Sequence, residues 1–420
     1  MRKKVSLGVA LALVFVVAAL AVSMTMLISM RYFSGLVEDV DNRKSMYNYL
    51  NEIDKAARQN YDIDEAELKR ALANGYIRGL SDPYASFLSP EQYLQQQNAT
   101  AGTALDFGLV VEADRDNRLV VVQVHDSSSA AQSGIMVGDV LQAVNGNAVS
   151  GEQLQAVRQT FARDAKVLLS LRRGENNLAV ELTASSYIVT SVRGKVIDGI
   201  GYLRIFSFHD QTDRQFKTVL ADLLSQGVEG VVFDLRGCTG TNSDSVQNIL
   251  AYLLPTGVYA RYNTKNGTTD LLADASYELK VPSVTLTDSY TEGEAEFMAA
   301  VLQNFRKTYV VGSNTRGKRS VQQSFVIASD NTAVNLSVGE YSLLKAAAWV
   351  TMDAPCVLPL ESALYREFLT LEEDLVLSAG LRYLKTGTVE TTTTTTTTTT
   401  TMPDGETTTM ADTETTTAAA

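Results

Sequence analysis

The spacing of apolar and polar positions changes several times along the chain. Residues 5–30 carry no charged side chain, and Arg2, Lys3 and Lys4 precede them. That run is long enough to cross a bilayer core of ~30 Å as a helix. The basic flank predicts an N-terminus in the cytoplasm, with the rest of the chain exported. Over 43–80 the apolar residues Leu50, Ile53 and Ala57, then Leu68, Leu72, Ile77 and Leu80, recur at helical spacing. Pro83 and Pro90 break the pattern in "SDPYASFLSPEQY".

From about residue 107 to 185 the period shortens. "FGLVVEAD" and "NRLVVVQV" read as strands. "SSSAAQSGIMVGDVLQAVNGNAVSG" reads as a short helix, a glycine turn, a strand and an Asn-Gly hairpin turn. "AKVLLSLRRGENNLAVELTA" gives two more strands. Over 199–385 strands such as "GIGYLRIFSF", "VEGVVFDLRG" and "SVTLTDS" alternate with helices such as "QTDRQFKTVLADLLSQG" and "SDSVQNILAYLLP". This alternation predicts a βαβ sheet covered by helices. Beyond residue 386 the chain is almost all Thr with Asp, Glu and Ala. Such a segment has little apolar surface to offset its ordering entropy, so a disordered tail is expected.

Composition narrows the function classes. The net charge of −12 argues against nucleic acid, whose phosphates require a basic face. The two cysteines, Cys238 and Cys356, form no disulfide framework. With the histidines limited to His125 and His209, no metal site is expected, and nothing calls for a cofactor.

Three strips together resemble the carboxyl-terminal processing peptidases, also called tail-specific proteases. "GLSDPYASFLSPEQY" is similar to that family's linker between N-terminal helices and a PDZ domain. "SSAAQSGIMVGDVLQAVNG" is similar to its PDZ pattern "SPAxxAGLxxGDxIxxVNG". "GIGYLRIFSF", "VFDLRGCTG" and "VVGSNTRGKRSVQQ" are similar to its peptidase core. The resemblance implies an α/β protein in five parts. These are a transmembrane anchor (1–30), an N-terminal helical region (31–95), a PDZ domain (96–185), a crotonase-like peptidase core (186–385) and the Thr-rich tail (386–420).

The family's nucleophilic serine lies mid-strip in "SASASE", and its general-base lysine and a glutamine lie in "xGKGxVQ". "RGKRSVQ" supplies Lys318 and Gln322 at that spacing. The strip matching "SASASE" is "TEGEAE", which places Gly293 where the nucleophile belongs. Glycine has no nucleophilic atom, so the resemblance implies a degenerate site in which Lys318 and Gln322 are vestigial. The oxyanion turn, "NNPGG" in the family, reads "GCTGT" here: Gly240 remains and Thr241 replaces the second glycine. Glu292 and Glu294 flank Gly293. A carboxylate there repels a developing oxyanion and pairs with Lys318, opposing its use as a neutral base. Thr291 and Cys238 are the alternative nucleophiles in the vicinity.

The PDZ strip is better kept. "LDFGLVV" contributes Leu105, Phe107, Gly108, Leu109, Val110 and Val111 as the expected carboxylate loop and edge strand. The expected function is a membrane-anchored, extracytoplasmic pseudopeptidase. Its expected partners are peptide or protein C-termini, a second copy of itself, or an active relative in a mixed oligomer. The alternatives are a serine-type endopeptidase with a relocated nucleophile and a surface structural protein.

Overall fold

The structure, a computed structural model, describes residues 7–240, 242–274, 276–305, 307–344, 349–350, 352–358, 366–388, 397–401 and 407–411. Two compact units divide the chain at 76/77. The first holds α1 (Leu7–Arg58) and most of α2 (Glu65–Gly79). The Asp64 carboxylate caps α2 by accepting from the N–H groups of Ala66 and Glu67, at 3.0 and 3.1 Å. The expected anchor falls on α1. Among the described residues no helix is long and apolar enough to cross a membrane. Of the apolar run, only the side chains of 16–17 and 20–27 are described, a stretch shorter than the ~20 residues a span needs. The rest of that expectation lies outside the described residues.

The second unit begins with β1 (Ser86–Leu88) and α3 (Pro90–Ala101). Ser89 and Gln92 form a capping box at the start of α3, and Gly102 ends it at φ +68°. β2 (Thr103–Asp106) pairs antiparallel with β9 (Ser185–Ile188). Between them lies a sheet in the order β3 (Leu109–Ala113), β4 (Leu119–Val124), β5 (Val140–Val144), β7 (Lys166–Arg173), β8 (Asn176–Thr183), with β6 (Asn147–Ala148) on β5. Asn145 and Gly146 both have positive φ, as the Asn-Gly hairpin requires. α4 (Ser129–Gln132) and α5 (Leu154–Arg163) close this sheet over Phe107, Leu119, Leu141, Leu169 and Leu182.

A second sheet runs β10 (Val192–Ile197), β11 (Ile200–Ile205), β13 (Val231–Asp234), β17 (Ser283–Thr287), β18 (Tyr309–Gly312), β21 (Ala354–Pro355). It is parallel from β11 onward, while β10 is antiparallel to β11. The crossovers carry α6 (Thr212–Ser225), α7 (Ser243–Leu253) and α8 (Glu294–Asn304). Alternation along the strands sorts the two faces. Val231 and Phe233 join the core under α6, α7 and α8. Val232, Val284 and Leu286 pack with Leu377 and Leu381 of α9 (Leu375–Thr386). β12 (Ser207–Phe208) and β14 (Thr239–Gly240) form a short parallel pair beside this sheet. A further sheet runs β1, β20 (Thr332–Leu343), β15 (Gly257–Thr264), β16 (Gly267–Ala273), with β19 (Ser320–Ile327) also on β20.

The tail departs from expectation. β22 (Thr397–Thr401) and β23 (Thr407–Ala411) pair antiparallel within the segment read as disordered. Threonine is β-branched and favours extended backbone, a propensity that outweighs the polar composition here. The remainder of 389–420 lies outside the described residues.

Candidate functional site

The buried strand β17 ends at Thr287, and the chain turns through 288–293 into α8. Gly293 is the N-cap of α8, with φ +66° and ψ −117°. A Cβ built on it meets the Gly240 carbonyl oxygen at 3.3 Å and Lys318 Cδ at 4.0 Å. The position matched to the nucleophile therefore faces the lysine matched to the base, although the sequence separates them widely. Glu296, fully buried, holds the two strips together. Its carboxylate accepts from the N–H groups of Gly293 and Lys318, each at 2.9 Å, and from that of Gly317.

The Lys318 side chain is nearly buried, and its amine is already occupied. Nζ lies 3.3 Å from Glu292 Oε1 and 4.9 Å from the centre of the Tyr84 ring. The other oxygen of Glu292 pairs with Arg316 Nε at 3.3 Å. One carboxylate thus bridges two cations at the mouth of the site. Gln322 is not among Lys318's partners. Its amide donates to the hydroxyls of Ser337 and Ser320 at 2.6 and 3.3 Å and accepts from Asn335 at 3.2 Å. A bulge between Val321 and Gln322 shifts the β19–β20 register at this point. Gln322 lines a cleft of about 430 Å³ together with Ser243 and Tyr341.

Glu294 does not stand in the oxyanion turn as a free charge. It is buried, and it accepts a hydrogen bond from Ser243 Oγ at 3.1 Å. Burial pushes its carboxyl up to about 7, against the opposing effects of hydrogen bonding, including that from Ser243, and of the nearby Lys318 charge. The repulsion expected of Glu294 is therefore weakened near neutral pH. The Gly240 carbonyl oxygen, 3.3 Å from a Cβ built on Gly293, is an acceptor and not one of the donors an oxyanion needs. Gly240 sits at φ +139°, and a Cβ there would lie 2.6 Å from the Phe208 backbone nitrogen, so the β12–β14 pairing fixes this turn. Thr241 lies outside the described residues.

Neither alternative nucleophile is free. The Thr291 hydroxyl is fully buried, lies 3.0 Å from the Leu235 carbonyl oxygen it can donate to, and accepts from the Asp288 N–H at 3.0 Å. Cys238 is fully buried, and burial pushes its thiol far above the ordinary range, away from thiolate.

The second site is the groove between β3 and α5. It encloses about 210 Å³, with Phe107, Leu109, Val110 and Val111 on one wall and Arg158 and Phe161 on the other. Among the described residues β3 pairs only with β4, which leaves its outer edge open to another strand. Leu105 is not part of this wall: it is 71% exposed and pairs with Ser186 on the β2–β9 ribbon. Gly108 has φ +74°, and a Cβ there would collide with Ser128. Its N–H is already engaged by the Asp106 carboxylate at 2.6 Å. Sequence reasoning passed over Tyr84, Arg316, Ser243 and Asp106. Only Asp106, two residues before a turn glycine, carried a local signal, that of an Asx turn.

A PDZ module followed by a helix-covered parallel sheet with facing nucleophile and lysine positions defines the class: a PDZ-bearing serine-peptidase fold. The family model "PDZ domain" matches residues 106–183 and "Peptidase family S41" matches 199–350. Together these matches give a PDZ domain followed by a peptidase family S41 domain, and the chain is similar to carboxy-terminal processing proteases. It is 26% identical over 319 residues to "Carboxy-terminal processing protease CtpA" of Bacillus subtilis (strain 168), covering 74% of this chain and 66% of that protein. It is 27% identical over 293 residues to the "Carboxy-terminal-processing protease" of Bartonella bacilliformis, covering 66% of each. The chain thus spans just under two thirds of the length of these relatives. A solved structure from Bacteroides fragilis NCTC 9343, "Putative S41 protease", shares the fold with a TM-score of 0.56 and 19% identity, over 78% of this chain and 91% of that one.

Proposed function

We propose that this protein is a membrane-anchored, extracytoplasmic pseudopeptidase of its family. It binds extended tails of exported polypeptides in the β3–α5 groove of its PDZ domain, or regulates a catalytic relative through mixed oligomers. One observation carries the reading: the backbone position facing Lys318 is Gly293, and the lysine amine is paired with Glu292 instead of a hydroxyl. A Ser–Lys peptidase needs a hydroxyl whose proton passes to a neutral lysine as it attacks the carbonyl. The committed hydroxyl of Thr291 and the buried thiol of Cys238 speak against a relocated nucleophile. The uncharged run over 5–30 behind three basic residues supports the anchor.

The test is cleavage of an unfolded protein substrate by the purified full chain and by Lys318→Ala. The expected result is no turnover by either. Turnover by the parent that disappears in Lys318→Ala would show a working base and end the pseudopeptidase reading.

A further inference from the structure

The loop expected to hold a ligand's terminal carboxylate already holds one of its own. Asp106 closes β2 at the mouth of the groove. Its Oδ1 accepts from the Gly108 N–H at 2.6 Å and from the Tyr187 hydroxyl at 2.7 Å. The loop is pinned on both sides of that contact. The Phe107 carbonyl accepts from the Ala130 N–H at 3.0 Å, and the Gly108 carbonyl from the His125 N–H at 2.8 Å. Ser128 fills the space behind Gly108. A terminal carboxylate entering here meets an anion that has taken the Gly108 donor, and like charges sharing one site repel.

The charges of the groove are also unequally balanced. On the α5 wall, Arg158 is paired with Glu112 and donates to the Val111 carbonyl at 3.4 Å. Asp106 has no lysine or arginine paired with it among the described residues. It is the uncompensated charge of the cavity. The outer edge of β3, unpaired among the described residues, supplies backbone pairing for an extended chain whether or not that chain ends at the loop.

We infer that the groove takes an extended segment running past the loop, with a lysine or arginine side chain against Asp106, rather than a free C-terminus. The inference rests on the reading of the groove as a peptide site.

It is tested by titrating the full chain with three fluorescent forms of one short apolar peptide. The first ends in a free carboxylate. The second is its amide. The third carries lysine in place of the last residue, followed by two uncharged residues and an amide. The third should bind tightest, by roughly fivefold over the free acid, in line with a partly exposed ion pair. Asp106→Asn keeps an oxygen for the Gly108 N–H but removes the charge, and should bring the three to within about twofold of one another. Ala162→Trp, on the groove wall, should weaken all three. Tightest binding by the free acid overturns this inference and leaves the peptide site standing. Absence of binding by every form, with Ala162→Trp no different from the parent, overturns both.

Discussion

Replacing Glu294 with glutamine should stabilise the protein above neutral pH and change little in acid. The side chain is buried between α7 and α8, and burial holds its carboxyl up to about 7. An unfolded glutamate titrates near 4.5. Between those values the native state keeps a proton that the unfolded state has released, so stability falls as pH rises. The cost is absent below about pH 4.5 and complete above about pH 7. A gap of roughly 2.5 pH units at about 1.4 kcal/mol each sets its size at about 3 kcal/mol. Glutamine retains an oxygen for the Ser243 hydroxyl and carries no charge. Urea denaturation of the parent and Glu294→Gln at pH 5 and pH 8 measures the difference. The variant should gain about 2–3 kcal/mol on the parent between those pH values. An equal difference at both would refute the reasoning, and a larger loss for the variant at pH 8 would reverse its sign.

Gly293→Ser should lower stability by about 1–3 kcal/mol, because a side chain at φ +66° is strained. It should restore no cleavage on its own, since Glu292 still holds Lys318; robust turnover by the single variant would show that pairing to be harmless. Thr291→Ala should cost about 1–3 kcal/mol in urea denaturation, because it strips buried partners from Leu235 and Asp288. A loss under about 0.5 kcal/mol would mean that the hydroxyl does not organise the turn.

The parts legible in the sequence were those written in local patterns. Asn145–Gly146 announced its hairpin, and the buried strand "VVFD" lies at the centre of a parallel sheet between β11 and β17. The facing of Gly293 and Lys318 was legible through the family resemblance alone, since nothing local joins residues so far apart. The environments of the acidic residues were not legible. Glu292 and Glu294 sit two apart and looked equivalent. One reaches outward to Lys318 and Arg316, while the other turns under α7 to Ser243. That division depends on where α7 packs, a tertiary fact without sequence period. Gln322 was misleading for a related reason. Its spacing from Lys318 implied shared work, but the bulge beside it leads its amide to the β20 side chains.

Glu296 and Gly293 together bear on how such a site changes over evolutionary time. The carboxylate of Glu296 ties both catalytic strips by their backbones, so the scaffold does not rely on a serine side chain for its shape. The backbone at 293 adopts a conformation that glycine tolerates and serine resists. With this backbone kept, exchanging serine for glycine would release strain and leave the surroundings in place. On the pseudopeptidase reading, chemistry is lost in a step that gains stability, and the reverse step must climb. On the same reading, each later substitution around the lysine, such as a carboxylate that neutralises it, raises that climb, and the loss works as a ratchet.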